Sequence, residues 1–416
     1  MTTAVNKGND DNDPKKKAKA AATEAKAEAK ETAAEAKAEA KSAAAEAKGK
    51  AEEAADKAKD AIADAKEKVA EKVDDLTDAA EKEADKVKAK AAENAENSEP
   101  KAATAPSTGT RQYENLKAIP DLKAINRKIF LSAIPGVGGT REAKQDPTSA
   151  IQVSGVQVDK KNLADYTSAT GLRLGNELPP TYFFVLSFPL VMELLSRPDF
   201  PYPAMGAVHV TNVIEQTRTL TVDDTYTIRS HGENLRPHRR GLLVDIVTEI
   251  FVEGEENSEP VWRQTSTFLG MGAKFSKSAN VSVTTRAEDS GKVLPKPELP
   301  EFKPNTRWRW TGSDVNAYVE ASNDHNPIHT SNLGAKLFGF PARIAHGMYS
   351  AAAVLAPLEG RLPEALRYSV EFVKPVVIPA QVALWTIKDE DGTYDIQLRG
   401  SSKPDKLHLN AELTPL

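Results

Sequence analysis

The run Val315-Asn-Ala-Tyr318-Val-Glu-Ala-Ser322-Asn-Asp324-His-Asn326-Pro-Ile-His329 starts with helical periodicity and breaks at Asn326-Pro327. Proline keeps the residue before it out of the helical region, so Asp324 and His329 lie on a loop and can converge from opposite sides of it. The same opening occurs earlier as Leu163-Ala-Asp-Tyr166-Thr-Ser-Ala-Thr170, again a helical stretch ending near a tyrosine. A longer apolar helix follows each copy; in the first it is Thr181 to Leu195 and is expected to be buried. Strands come next, with Val208 to Thr225 aligning on Leu366 to Ala383 and Gly241 to Val252 on Thr393 to Leu398. A helix followed by several long antiparallel strands implies an α+β unit whose sheet wraps one central helix. Two such units in one chain imply a pseudo-symmetric pair.

Working outward gives five segments. Residues 1–110 form an Ala/Lys/Glu-rich extension and linker, 111–148 a helical lead-in, 149–283 the first half, 284–306 a Pro-rich linker and 307–416 the second half. Residues 1–100 hold 32 Ala, 20 Lys and 25 acidic residues, with no Arg and no aromatic side chain. They account for the whole formal charge of −5, so the rest of the chain is balanced. Without aromatics this segment cannot bury enough apolar area to build a core. Its Glu24, Glu28, Glu31, Glu35 and Glu39 stack on one helical face, where like charges repel; Ile62, Val69, Val73, Leu76 and Val87 sit near heptad spacing. The extension therefore reads as solvated and partly helical, or as a membrane-surface or coiled-coil contact whose partner the sequence does not identify. In the lead-in, Tyr113 to Thr140 reads as a short helix ending in Gly136-Val-Gly138-Gly139-Thr140. That cluster lacks the Gly-Lys-Ser/Thr ending of a phosphate loop and reads as a turn.

Composition narrows the function. The chain has no cysteine, which excludes disulfides, thiolate metal sites and a cysteine nucleophile, and is compatible with a reducing cytoplasm. The balanced body argues against a nucleic-acid partner. The most apolar run, Thr181 to Leu195, is interrupted by Ser187, Pro189 and Glu193 and is too short for an integral membrane span. A cytoplasmic location is expected.

The chemistry concentrates in the second half, where three of the seven histidines fall between His325 and His346. A carboxylate (Asp324) and an imidazole (His329) facing one small space can hold a water and move protons to and from it. Gly347, in Ala345-His346-Gly347-Met348, opens a helix expected to run from Met348 to Leu358. Its N–H would stabilise a carbonyl oxygen becoming anionic. An acid/base pair with an oxyanion donor fits reversible chemistry α,β to a carbonyl and needs neither cofactor nor metal.

Tyr318 to His329, followed by Ile344-Ala-His-Gly-Met348, resembles the signature of the MaoC-like, (R)-specific enoyl-thioester hydratase/dehydratase family. The resemblance covers roughly residues 115–416 and implies a double hotdog, with a catalytic second half and a first half that has lost the site and shapes room for the acyl chain. It implies catalytic roles for Asp324 and His329, with Asn326 as a polar neighbour and Gly347 as oxyanion donor. The first half aligns Leu172 and Glu177 where the second has Asp324 and His329, and Asn323 stands where the family usually has glycine. The implied reaction is hydration of trans-2-enoyl thioesters, or dehydration of (3R)-hydroxyacyl thioesters, of coenzyme A or acyl carrier protein in fatty acid metabolism. The implied assembly is a monomeric pseudo-dimer or a homodimer. Two alternatives remain open: a hotdog acyl-thioesterase, and a non-catalytic acyl-thioester-binding or envelope-associated protein.

Other readings of the same residues are blander. His325 and His329 have a zinc-like spacing, but Pro327 breaks the helix that spacing requires. His346 reads as a capping or packing residue. Arg236, His238, Arg239 and Arg240 suggest coenzyme A phosphates or an acidic carrier protein, or simply an exposed hairpin tip. Trp308 and Trp310, alternating with Arg307 and Arg309, read as the opening of the second sheet half.

Overall fold

The computed structural model describes residues 111–132, 141–255 and 259–416. The expectations for residues 1–110 and for the glycine cluster 136–140 lie outside the described residues.

Each half opens with a strand rather than the expected helix, and the first helix after it is closed by a left-handed residue. In the first, Asp159 caps α2 (Lys160–Thr170) by accepting from the N–H groups of Lys161 and Asn162, and Gly171 ends it at φ 77°. In the second, Asp314 accepts from the Thr311 N–H at 2.7 Å to start α5 (Gly312–Ser322), and Asn323 ends it at φ 53°. Asparagine tolerates this region better than other non-glycine residues, so the turn survives the missing glycine. The two caps align the repeats, with Leu172 and Asp324 each following directly.

The central helix of the first half, α3 (Tyr182–Ser196), is buried along most of its length, as the apolar run predicts. Its counterpart α8 (Gly347–Ala353) is shorter than expected and gives way to a 3₁₀ turn at Ala356–Leu358. Pro357 is the cause: it lacks the N–H that would bond the Ala353 carbonyl. The lead-in is also less helical than the sequence suggests. Glu114–Asn115 form a short strand (β1), and α1 runs from Leu122 to Ser132. Pro120 bars a helical residue before it, and Asp121 caps the later start through the Lys123 N–H at 2.9 Å.

Two short helices, α4 (Val281–Thr284) and α7 (Asn332–Leu337), lie in connections. Five strands wrap each central helix. They are β2 (Ala150–Val156), β3 (Ala207–Gln216), β4 (Tyr226–His238), β5 (Gly241–Val252) and β6 (Trp262–Met271) in the first half. The second half has β7 (Thr306–Trp310), β8 (Leu366–Phe372), β9 (Ala380–Lys388), β10 (Tyr394–Gly400) and β11 (Leu407–Pro415). The sheet order is β1-β2-β4-β5-β6-β3-β8-β11-β10-β9-β7, a palindrome of corresponding strands beyond β1. Its centre is the antiparallel pair β3–β8, from Thr211 opposite Glu371 to Gln216 opposite Leu366. Two helices each enclosed by half of one continuous sheet constitute a double hotdog. Trp308 and Trp310 point inward from β7 while Arg307 and Arg309 are exposed, as expected of a strand opening the second half.

The Pro-rich linker is strapped to the sheet rather than free. Glu371 accepts from the N–H groups of Val293 and Leu294, and Asn410 donates to the Pro295 carbonyl. Arg236 belongs to the same strap and corrects the hairpin-tip expectation: it is buried between Asp289 at 2.6 Å and Asp245 at 2.9 Å. Only Arg239 and Arg240 reach the exposed tip.

The two interiors differ in chemistry. Against the first central helix the sheet presents a buried polar row, with Ser230 on Thr248 at 2.9 Å and both Asn212 and Gln264 donating to the Ser266 hydroxyl. The second half offers Leu384, Ile396, Leu398, Leu409 and Ala411 to its own core.

Candidate active site

Asp324 sits two residues beyond the end of α5. The left-handed turn at Asn323 carries the chain back, and Ser322 supports it by donating to the Tyr318 carbonyl and accepting from the Asp324 N–H. The Asp324 Oδ1 accepts from the Asn326 N–H at 3.1 Å. Asn326 in turn accepts from the Ile328 N–H and caps α6 (Pro327–Thr330), the single turn that turns His329 inward. Asn326 itself is exposed and serves the loop's shape. His325 is also exposed, with its Nε2 on the Asn323 side chain, and takes no part in the cluster.

His329 is buried. Its Nδ1 lies 2.8 Å from the Ile344 carbonyl, which can only accept, so Nδ1 carries the proton and Nε2 is left as an acceptor. Ile344 is itself tied down, donating its N–H to the Ile328 carbonyl at 3.0 Å. Burial holds the His329 pKa below the usual histidine value, opposed by the Asp324 charge and the Ile344 carbonyl. The ring is therefore neutral and basic at Nε2 near neutral pH.

The third member is His346, which the sequence suggested only as a cap. Its ring stacks on His329 with centroids 3.6 Å apart and planes 27° apart. Its Nε2 lies 3.2 Å from the Asp324 peptide oxygen and 3.5 Å from Oδ2. Burial, and then the neighbouring His329, push its pKa well below the ordinary value. The one signal in the sequence was its place immediately before Gly347. Gly347 opens α8 beside this cluster, where the first N–H groups of a helix have no partner within it. A side chain there would collide with Phe372, whose ring lies 2.9 Å from the position of a Cβ.

Asp324, His329 and His346 bring potential ligand atoms within 4.8 Å of one another, so a metal centre was a possibility. The geometry does not fit one. Stacking confines the two rings' in-plane lone pairs to separate planes only 27° from parallel, whereas a metal needs donors that converge on one point. Each ring has also committed one nitrogen to a peptide oxygen. One carboxylate and two imidazoles this close together can hold a water and exchange protons with it.

The first half differs from the second at more than the two aligned side chains. Leu172 is buried and apolar, and Glu177 makes a β-bridge with Thr221. At the start of α3, the Tyr182 N–H already donates to the Pro179 carbonyl at 2.9 Å.

Two hotdog halves sharing one sheet, with a histidine–aspartate cluster at the foot of only one central helix, define the double-hotdog class. The MaoC like domain matches residues 296–400, which include the whole cluster. The chain is 44% identical over 263 residues to 3-hydroxyacyl-thioester dehydratase X of Mycobacterium tuberculosis, an alignment covering 62% of this chain and 87% of that protein. It is 25% identical over 171 residues to the peroxisomal enoyl-CoA hydratase 2 of Arabidopsis thaliana, covering 41% and 54% of the two chains. The crystal structure of HtdX from Mycobacterium tuberculosis, 41% identical, superimposes with a TM-score of 0.54, covering 64% of this chain and 100% of that one. The chain belongs to the MaoC-like family.

Proposed function

We propose that the chain is a hydro-lyase that reversibly hydrates trans-2-enoyl thioesters of coenzyme A or acyl carrier protein to (3R)-3-hydroxyacyl thioesters in fatty acid metabolism. The observation that carries the mechanism is the fixed tautomer of His329: Nδ1 is committed to the Ile344 carbonyl, so Nε2 is free to accept a proton. A water donates its two O–H groups to His329 Nε2 and the Asp324 carboxylate. Its oxygen adds at C3, the displaced proton passes to His329, and the same group delivers it to C2. Because both groups stand on one side of the substrate, addition occurs on one face. The thioester oxygen gains enolate character and is held by the Gly347 N–H, an interaction that strengthens in the transition state.

In this reading residues 307–416 carry catalysis, and residues 149–283 give a non-catalytic half that forms one side of the substrate cleft. The β3–β8 junction makes the monomer equivalent to a dimer of single hotdogs. No helix among the described residues is long and apolar enough to cross a membrane. A cytoplasmic location is part of the proposal, supported by the cysteine-free composition.

The test follows loss of enoyl-CoA absorbance alongside release of free thiol. Hydration without thiol release is expected, and thiol release without hydration would make the protein a thioesterase. Asp324→Asn and His329→Ala should each lower turnover by about 10²-fold or more while leaving the fold intact. Near-normal turnover in either variant refutes the assignment.

A further inference from the structure

We propose that His346 is a positioning residue for this reaction, a neutral imidazole that holds Asp324 by its peptide oxygen and backs His329 with its ring face. The inference rests on the hydration reading above.

Its tautomer is determined by its neighbours. Nε2 lies 3.2 Å from the Asp324 carbonyl oxygen and 3.5 Å from the Oδ2 oxygen. A carbonyl accepts only, so Nε2 must carry the proton. Nδ1 then bears a lone pair, and it is buried without a hydrogen-bond partner. A buried acceptor left unpaired costs about 1–3 kcal/mol. A ring kept only for packing would be better replaced by a hydrocarbon of the same shape, so the imidazole's use lies in its Nε2–H and its faces.

Both lead to the reacting groups. Through Nε2–H the ring fixes the peptide of Asp324, which otherwise follows a left-handed turn with little support from regular structure. One face lies on His329, and Tyr318 stands 5.0 Å from the ring at a tilt of 50°, so rotation is restricted. A second positive charge stacked at 3.6 Å would oppose protonation of His329, whereas a neutral ring leaves His329 free to take up the water's proton. His346 is also the residue from which α8 departs, so one side chain ties the Asp324 loop to the helix start that carries the Gly347 N–H.

The experiment uses the full chain and a trans-2-enoyl-CoA of fixed length, with two variants that separate donor from ring. His346→Gln retains an amide N–H at similar reach but no ring; His346→Phe retains a ring face but no donor. If the hydrogen bond to Asp324 positions the loop, the Phe variant loses about tenfold to thirtyfold in kcat with KM changed less than about threefold. Its urea midpoint stays level or rises, because an unpaired nitrogen has been removed. The Gln variant recovers kcat to within about fivefold of the parent, and the acid limb of its kcat/KM profile stays in place because His329 still titrates. The inference is overturned by a Phe variant with parental kcat, by a loss in parallel with folded fraction, by a Gln variant as impaired as Phe, or by a displaced acid limb. A parent chain without hydratase activity would reject the reaction itself, an outcome distinct from all four.

Discussion

Gly347→Ala tests the oxyanion assignment with the smallest possible change. The glycine is not in a left-handed conformation, so alanine carries no backbone penalty there. The added Cβ would stand 2.9 Å from both Cδ1 and Cε1 of Phe372 and 3.1 Å from Cγ, where carbon atoms rest at about 3.5–4.0 Å. Something must therefore move by about half an ångström. The Phe372 ring is itself packed against the His209 ring, at a centroid distance of 4.9 Å, which limits its movement. The helix start yields in part, and the Gly347 N–H moves with it. Loss of one oxyanion donor costs about 10²–10³ in kcat, and a misplacement of about 1 Å costs about 10². We expect kcat to fall by about 100-fold in the enoyl-CoA assay, with KM little changed because the interaction strengthens in the transition state. Phe372→Leu should remove the collision and restore much of the loss in the double variant. Parental turnover in a folded Gly347→Ala protein would refute the oxyanion role. A double variant no better than the single one would refute the steric route.

Three further outcomes follow from the site's electrostatics and from the comparison of the two halves. His329 must be unprotonated to accept the water's proton and burial depresses its pKa, so kcat/KM for hydration should fall only at pH below the ordinary histidine value of about 6.5. Stability carries the same sign: His329, His346 and His209, the last pushed down to about 3, bind protons more readily unfolded. The urea midpoint should therefore decline as pH drops below about 6.5, with a shallower slope in His209→Phe; a midpoint rising with acidity contradicts the burial argument. Grafting Leu172→Asp with Glu177→His into the Asp324→Asn protein should leave turnover at its background, because the Tyr182 N–H is already satisfied by Pro179. Measurable hydration there would show that the pair alone is sufficient.

Much of this organisation was legible in the sequence because the two hotdog units repeat one pattern. Tyr166 and Tyr318 mark equivalent helices, and the left-handed caps Gly171 and Asn323 fix the alignment that the sequence could place only approximately. Local chemistry also located the Asp324 loop, since Asn326-Pro327 dictates the break between helices. Long-range contacts were not legible. Arg236 looked like a surface cation until Asp245 and Asp289 closed on it from two other segments. His346 follows its spatial neighbour Asp324 by 22 residues, so nothing in its own surroundings announces the stack on His329. The shortened α8 was readable, because Pro357 was visible, but the apolar periodicity around it favoured a longer helix.

The first half braces the Asp324 loop through direct contacts with the second. Asn162, on α2, donates from Nδ2 to the Ala321 carbonyl at 2.8 Å. That carbonyl belongs to the last turn of α5, three residues before Asp324, where helical carbonyls lack partners within the helix. Asn162 is held in turn by the Tyr182 hydroxyl at 3.0 Å, and Tyr166 packs against Tyr318 across the same junction with centroids 6.1 Å apart. The backbone N–H of Arg173, next to Leu172, binds Glu359 just beyond the 3₁₀ turn after α8. Elements that occupy the pseudo-two-fold equivalent of the site instead cap and brace it. Leu172 is buried and apolar and Glu177 bridges to Thr221, so the helix ends and tyrosines of the first half are available to fix the geometry of the other half.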